Sequence, residues 1–545
     1  MTGYTIGVDV GTASARAGLF DLTGKRLALA TEPIQIHRPL PEYAEQSSED
    51  IWRAVCTVVR AVVNEARIQP DTVLGIGYDA TCSLVALDAN DQPISISPTG
   101  DPQWNIIMWM DHRAIAETEQ ANAGGYEALR YSGGALSPEM EPPKLAWLRR
   151  HMPETFERAG KFLDLADFLV YRSTGNNLRS ECTMGCKWTY LPAEKRWDMR
   201  LLQDLGIESI LERGRAGEAI LPLGSSAGNL TPQAASELGL STRTQVAIGI
   251  VDAHAGTIGL LGAVWAGDPA PSLEKLERAA ALIAGTSSCL MALSREPRFV
   301  QGVWGPYYGA VLPNMWMNEG GQSAAGALID YTLEHHRQYP ALELKAEHEG
   351  VSVYEAANRI VDQLAQGLPY PALLTRYLHV LPDHYGNRAP YADPHARGVV
   401  DGLTLDTSLN ALATLYYATL QALAYNIRDV LRAMAEAGYQ TEAIYVTGGS
   451  VKNRLWLRET ADITGCRVVV NREPEAVLLG SAILGATAAG AYPDIPSAMH
   501  AMTAPEFVVE PNPATAEYHA TKFALFRELY QQHRARREVM RRFEP

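Results

Sequence analysis

Positive charge is in short supply. The 545-residue chain carries 47 Lys and Arg against 62 Asp and Glu, a net charge of −15 with histidine neutral. A surface that acidic disfavours non-specific contact with nucleic acid or an anionic membrane, so neither is an expected partner. An anionic ligand has to be met locally, by backbone amides or a few cations. Cysteine is also scarce: six are scattered through the chain, at 56, 82, 182, 186, 289 and 466. That density excludes a disulfide scaffold and points to reduced thiols in the cytoplasm. Cys182 and Cys186 stand four apart, but no partner pair with zinc-site spacing lies near them in the sequence. Long apolar runs are missing: the stretch from 246 to 264 is interrupted by Asp252, His254 and several glycines. A strand pattern begins by Tyr4, which leaves no room for a signal peptide before it. G-x-x-x-x-G-K-[ST] and G-x-G-x-x-G do not occur, so P-loop and ordinary dinucleotide folds lose their main support. H-E-x-x-H is likewise missing.

What remains is a chain long enough for two or three domains, with 47% apolar residues to fill their cores. Tyr4–Val10 and residues 15–20 alternate as the strands of a hairpin. Between them, Gly11 lets the backbone show its N–H groups to an anion. Asp9 stands at a strand end, where a carboxylate can hold hydrated magnesium. Thr12 and Ser14 add hydroxyls. On this stretch alone an ordinary hairpin turn is an equal alternative. Further strands are expected at 25–32, 72–77, 83–87, 244–250, 443–446 and 467–470, with a strand–turn–strand over 279–293. Helices are expected at 48–66, 144–150, 162–171, 409–437, 454–464, 477–489 and 515–541. Another is expected to open at Gly320-Gly321-Gln322-Ser323 and run to about 335. Residues 176–240 read as loops and helices without a function.

Several short stretches carry chemistry. Gly285-Thr286-Ser287-Ser288 turns between two strands as Asp9–Thr12 does, about 275 residues later. Two such hairpins suggest two related lobes gripping a polyphosphate from both sides. Asp252 follows a buried-looking strand among small residues, so a partly desolvated carboxylate there suits a general base. A helix cap is its competing role. His254 lacks ligand spacing and reads as a packing or supporting hydrogen-bonding residue. Thr447-Gly448-Gly449-Ser450 ends a strand where backbone can approach a flat ligand such as adenine. Trp104–Trp109 precedes Asp111-His112-Arg113, a combination that suits a small polyol, with a plain Asp–Arg pair as the alternative. Thr81, Cys82 and Ser83 end a strand and read as lining the same pocket.

In combination G-V-D-V-G-T, W-M-D-H-R-A, G-I-V-D-A-H-A-G, A-G-T-S-S and T-G-G-S-V-K-N resemble, in order, the FGGY carbohydrate kinase family. The resemblance runs from about Tyr4 to Ala489. It implies an α/β fold of two actin-like, ribonuclease H-like lobes, divided near 265/266, with ATP and a sugar in the cleft. Asp9 would be the magnesium-linked aspartate beside Gly11 and Thr12. Gly285, Thr286 and Ser287 would form the second phosphate loop, and Gly448, Gly449 and Asn453 would contact adenosine. Asp252 would be the general base, with Thr81, Cys82 and Asp111 at the sugar. Y-D-A-T-C-S, W-N-I-I-M-W-M-D-H-R-A, S-P-E-M-E-P-P-K and H-Y-G-N-R-A-P look like the pentulose kinases of D-ribulokinase type. Thr81-Cys82 departs from the Met-His of xylulokinases and the Arg-Glu of glycerol kinases. The implied reaction is transfer of phosphate from ATP, with Mg2+, to a ketopentose, D-ribulose foremost and L-ribulose or xylulose as alternatives. A homodimer fits the resemblance. A non-catalytic ATP-switched protein and a phosphatase are the rivals from other classes.

Overall fold

The computed structural model describes residues 3–543. Strand β1 (Tyr4–Val10) pairs antiparallel with β2 (Ser14–Asp21), which pairs with β3 (Arg26–Pro33). Helix α1 (Ser48–Ala66) follows. Ser47 caps it by accepting from the Asp50 N–H at 3.3 Å, and its valine stripe lies against β2 and β3. Strand β4 (Val73–Ala80) joins β1 in parallel, and helix α2 (Glu181–Lys187) comes later in the chain. Strand β5 (Gln245–Ala247) extends the sheet in parallel to β4, and helix α3 (Asp252–Leu261) leaves it.

The second half repeats this plan. Strands β6 (Ala279–Ala284), β7 (Ser288–Ser294) and β8 (Trp316–Gln322) form an antiparallel run. After the long helix α4 (Leu409–Glu436), β9 (Ala443–Thr447) joins β6 in parallel. Helix α5 (Arg454–Thr464), β10 (Arg467–Asn471), helix α6 (Ala476–Ala488) and the terminal helix α7 (Ala516–Arg541) complete it. The two sheets therefore share one strand order, β3-β2-β1-β4-β5 and β8-β7-β6-β9-β10. The implied two-lobe α/β architecture is present.

The halves exchange helices. α6, from the second half, lies on β1 and β4, while α3, from the first, lies on β6 and β9, and the two helices touch. Glycine makes this approach possible. A Cβ at Gly7 would sit 1.9 Å from the Leu478 carbonyl, and one at Gly77 2.0 Å from that of Ser481. Beside this core, a smaller sheet of the first half pairs Leu84–Asp88 with Ala159–Asp164.

Three expectations fail. Residues 162–171 are not one helix: Ala159–Asp164 is a strand and the helix is Leu165–Thr174. The apolar run was too short to separate the two periodicities. Gly320 and Gly321 do not open a helix but lie within β8, opposite Leu290 and Cys289. A Cβ at Gly320 would come 2.5 Å from Val430 of α4, so the glycine serves close packing of that helix. Residues 176–240 hold short strands besides helices, among them Leu178–Ser180, Ala219–Leu221 and Ser226–Asn229.

Candidate active site

Parallel register brings the first acidic group together. Asp9 of β1 stands beside Asp79 of β4, and Val251 pairs with Ala80 one residue before Asp252. Asp9 accepts from Arg16, at 2.9 Å from Nε, and the same guanidinium reaches Glu475 at 2.8 Å. Asp79 accepts from Ser481 at 2.6 Å through one oxygen, while its other oxygen is buried without a hydrogen-bond partner. Burial, and then the charge on Asp9, hold Asp79 well above the usual carboxylate range. Asp252 opens α3 and does not cap it: the cap position is Val251, and Asp252 Oδ1 accepts from the Ala253 N–H at 2.6 Å. Burial, then the Asp9 charge, raise Asp252 to about 6. Three carboxylates thus converge with one guanidinium to offset them. An orphaned carboxylate oxygen in so acidic a setting fits a hard divalent cation, with Asp9 and Asp79 as its oxygen donors.

The two hairpin turns offer open backbone. In the first, the Gly11 N–H donates to the Ser14 carbonyl at 3.0 Å, and Thr12 Oγ1 accepts from Trp109 Nε1 at 3.1 Å. In the second, the Gly285 N–H donates to the Ser287 carbonyl at 2.9 Å. The Thr286 carbonyl there accepts from the Ala325 N–H at 2.8 Å. A Cβ at Gly11 or Gly285 would meet nothing closer than 3.8 Å, and one at Gly449 nothing within 4 Å. These glycines are not required by the protein's own packing, so the room beside them is free for a ligand. Gly448 differs: its φ is 99°, and a Cβ would come 2.4 Å from the Ala284 carbonyl beside the second turn. Asn453 acts as the cap of α5. Its Oδ1 accepts from the Trp456 N–H at 3.2 Å and its Nδ2 donates to Tyr416 Oη at 2.6 Å.

Near Asp252 the two halves bring buried polar and charged groups together. Thr81 and Cys82, at the end of β4, are buried, and Thr81 Oγ1 lies 3.3 Å from Ser83 Oγ. Lys187, the last residue of α2, sets its ammonium 4.5 Å from the Trp304 ring centre. Burial works against its charge, but Cys82, Glu139 and Glu319 hold its pKa above the ordinary value. Glu319 of β8 accepts from Arg388 at 3.3 Å and lies 3.3 Å from His254 Nε2. Burial opposes the Glu319 charge, yet the His254 hydrogen bond and the Arg388 charge bring it down to about 2. His254 Nδ1 in turn lies 3.2 Å from Cys182 Sγ. Burial opposes both charges of this pair, but the Cys186 hydrogen bond and the His254 charge hold Cys182 below its ordinary value, and Cys182 and Glu319 hold His254 above its own.

Asp111 is corrected. Its side chain is fully buried, and both oxygens are taken by Arg113 at 2.8 Å, with the Ala44 N–H at 2.7 Å. Arg113 also binds Glu45 at 2.8 Å. The pair is a buried brace and has no oxygen left for a sugar. Gly224–Gly228 spells the G-x-S-x-G of hydrolase nucleophiles. Ser226, however, opens a strand and donates to Gln245 at 2.6 Å, so no strand-to-helix elbow exists there. Lys187, Trp304 and Glu319 had no reading in the sequence. Their signal was a charge inside an apolar strand at Glu319 and a lysine directly after the Cys182–Cys186 pair. Glu139 and Arg388 lay in stretches quoted for the family resemblance but had no assigned role.

Two lobes of equal strand order, each carrying an open glycine turn, make the actin-like two-lobe fold of the sugar kinases among its structural neighbours. The match is specific: models of the N-terminal and C-terminal domains of the FGGY family of carbohydrate kinases cover residues 4–259 and 280–489. The chain belongs to this family and is a carbohydrate kinase. It is 43% identical to an FGGY carbohydrate kinase domain-containing protein of Xenopus laevis, covering 99% of this chain and 98% of that one. It is 37% identical to a D-ribulokinase of Saccharomyces cerevisiae, covering 89% and 72%. Among solved structures, the xylulose kinase of Lactobacillus acidophilus shares the fold with a TM-score of 0.79 at 22% identity, covering 97% and 98%. Among the described residues no helix is long and apolar enough to cross a membrane.

Proposed function

We propose that this kinase transfers the γ-phosphoryl group of ATP to the terminal hydroxyl of a ketopentose, with D-ribulose the preferred acceptor. The observation that supports the reaction is Asp252, a buried carboxylate raised to about 6 by burial and by the Asp9 charge, with His254 and Glu319 close by. Near neutral pH it is ionised and basic enough to take the hydroxyl proton as oxygen attacks phosphorus. Gly11 on one side and Gly285 on the other leave room for the phosphates, and Thr12, Thr286 and Ser287 beside them offer amides and hydroxyls. Gly449 leaves backbone open to adenosine, and Gly448 makes the turn that sets it beside the second phosphate turn. Magnesium, held by Asp9 and Asp79, would supply charge neutralisation on the phosphates. Lys187, Arg388 and Glu319, which lie within electrostatic reach of one another, supply the donors and acceptor that a hydroxyl-rich acceptor bearing a carbonyl needs. The D-ribulokinase relative supports the choice of sugar. Closure of the lobes excludes water and limits idle hydrolysis.

The test is ADP release with D-ribulose, L-ribulose, D-xylulose, L-xylulose, ribitol and glycerol, each with ATP and magnesium. The expected result is the highest kcat/KM on D-ribulose. A higher value on another sugar overturns the substrate, and ATP turnover indifferent to all six overturns the kinase reaction assigned to Asp252.

A further inference from the structure

Behind Asp252 lies a cluster that phosphoryl transfer does not use. Cys182 and Cys186 stand one turn apart on α2, and His254 is the third residue of α3. All three are buried, and their sulfur and nitrogen atoms lie within 4.8 Å of one another. We infer that Cys182, Cys186 and His254 form a second cation site, selective for a thiophilic divalent ion such as zinc, whose occupation inhibits the enzyme.

The donor set favours this. Two sulfurs and an imidazole are soft ligands suited to zinc, whereas Asp9 and Asp79 offer the hard oxygens that suit magnesium. The two cations are therefore sorted by chemistry within one cleft. The histidine is already oriented as a metal ligand: Nδ1 faces the sulfurs, while Nε2 faces the Glu319 carboxylate at 3.3 Å. A carboxylate behind the far ring nitrogen is the usual support of a ligating histidine. The ligands come from two helices and not from a mobile loop, so the site is held in shape. Binding balances simply. At present Cys182 sulfur takes hydrogen bonds from the Cys186 thiol and from His254. The ion forms two metal–sulfur bonds and one metal–nitrogen bond, and the Cys186 and Nδ1 protons leave to water. One divalent ion replaces two protons, so the charge buried in the cluster does not change. Three protein ligands leave a fourth position for water or a pocket ligand. Inhibition follows from position, and this part rests on the kinase reading: His254 is two residues from Asp252 and touches Glu319 in the pocket.

Cobalt(II) alone, added to the full-length protein in excess magnesium, tests the site without sugar or nucleotide. The expected result is one cobalt bound, a thiolate-to-cobalt charge-transfer band, strong visible bands of a four-coordinate ion, two protons released and displacement by zinc. Cys186→Ser should keep turnover and melting temperature, cut the band to that of at most one sulfur ligand and weaken zinc inhibition by at least about 10-fold. Cys56→Ser, a cysteine outside the cluster, should change nothing. No sulfur band with the wild type overturns the site, however the variants fold. So does a band undiminished in Cys186→Ser or lost in Cys56→Ser. Zinc inhibition equal in wild type and Cys186→Ser overturns the inhibitory role while leaving the kinase assignment intact.

Discussion

One oxygen of Asp252 is tied to the Ala253 N–H at 2.6 Å, so the carboxylate cannot swing away from the cleft floor without losing that bond. Its base form is the ionised one, and burial raises its pKa to about 6. The sign is then fixed: kcat/KM for the sugar should be level above that value and fall by one proton below it. Asp252→Asn should lower kcat by about 10²- to 10⁴-fold with the KM for ATP unchanged. Its residual activity should lack the acid limb. An acid limb retained in the variant would move the base elsewhere. Asp111 makes the opposite case. Its carboxylate is closed inside a brace with Arg113 and Glu45. Asp111→Asn leaves that guanidinium short of a charge partner, at a cost of about 3–5 kcal/mol. The expected readout is a lower melting temperature with an unchanged KM for sugar in the folded fraction. A normal melt with a raised KM would return Asp111 to the pocket.

At the scale of elements, the terminal helix α7 docks through one face, with His519, Lys522, Phe523, Phe526 and Tyr530 buried. His519 Nδ1 lies 2.8 Å from Tyr425 Oη of α4, while Nε2 is buried without a partner. Burial, then the nearby Lys522 charge, lower His519 from 6.5 to about 3. The docked helix therefore refuses a proton that the undocked helix accepts. The His519 contribution to docking stability should be full above the ordinary histidine value and fall as pH drops from 6.5 toward 3, by at most about 1.4 kcal/mol per pH unit. Amide exchange over 516–541 should speed on acidification in the wild type, and much less in His519→Phe. Equal acceleration in both would remove His519 as the cause. Elements such as α7 and α4 were legible because many turns of one periodicity leave little choice. The two hairpins were legible for the same reason, with alternation interrupted once by a turn. Strands of two to four residues between 176 and 240 carry too little pattern to read, and Lys187 was lost with them. Asp111 was misread for a different reason. An aspartate beside an arginine looks the same in sequence whether the pair faces a ligand or closes on itself, and burial alone decides.

Across the whole molecule, the lobes meet through the exchanged helices α3 and α6, and each gives the other a glycine. A Cβ at Gly480 would come 1.8 Å from the Ala255 carbonyl, and one at Gly259 1.9 Å from the Ala476 carbonyl. Backbone touches backbone at both places, so the helices can roll on each other with no side chain to clear. A closure of the cleft in which these helices roll brings the strain of any added side chain to this contact. Gly480→Ala is favourable for helix propensity by about 1 kcal/mol, yet its methyl group must push the helices apart. Overpacking of this kind costs about 1–3 kcal/mol, so the net effect should be a loss of stability. Gly449→Ala is the matched control, because nothing lies within 4 Å of the added atom. It should melt as the wild type does and raise the KM for ATP. Gly480→Ala should melt earlier and fail to contract in solution scattering when a non-hydrolysable ATP analogue and D-ribulose are added. Contraction equal to wild type would show that the lobes close about some other contact.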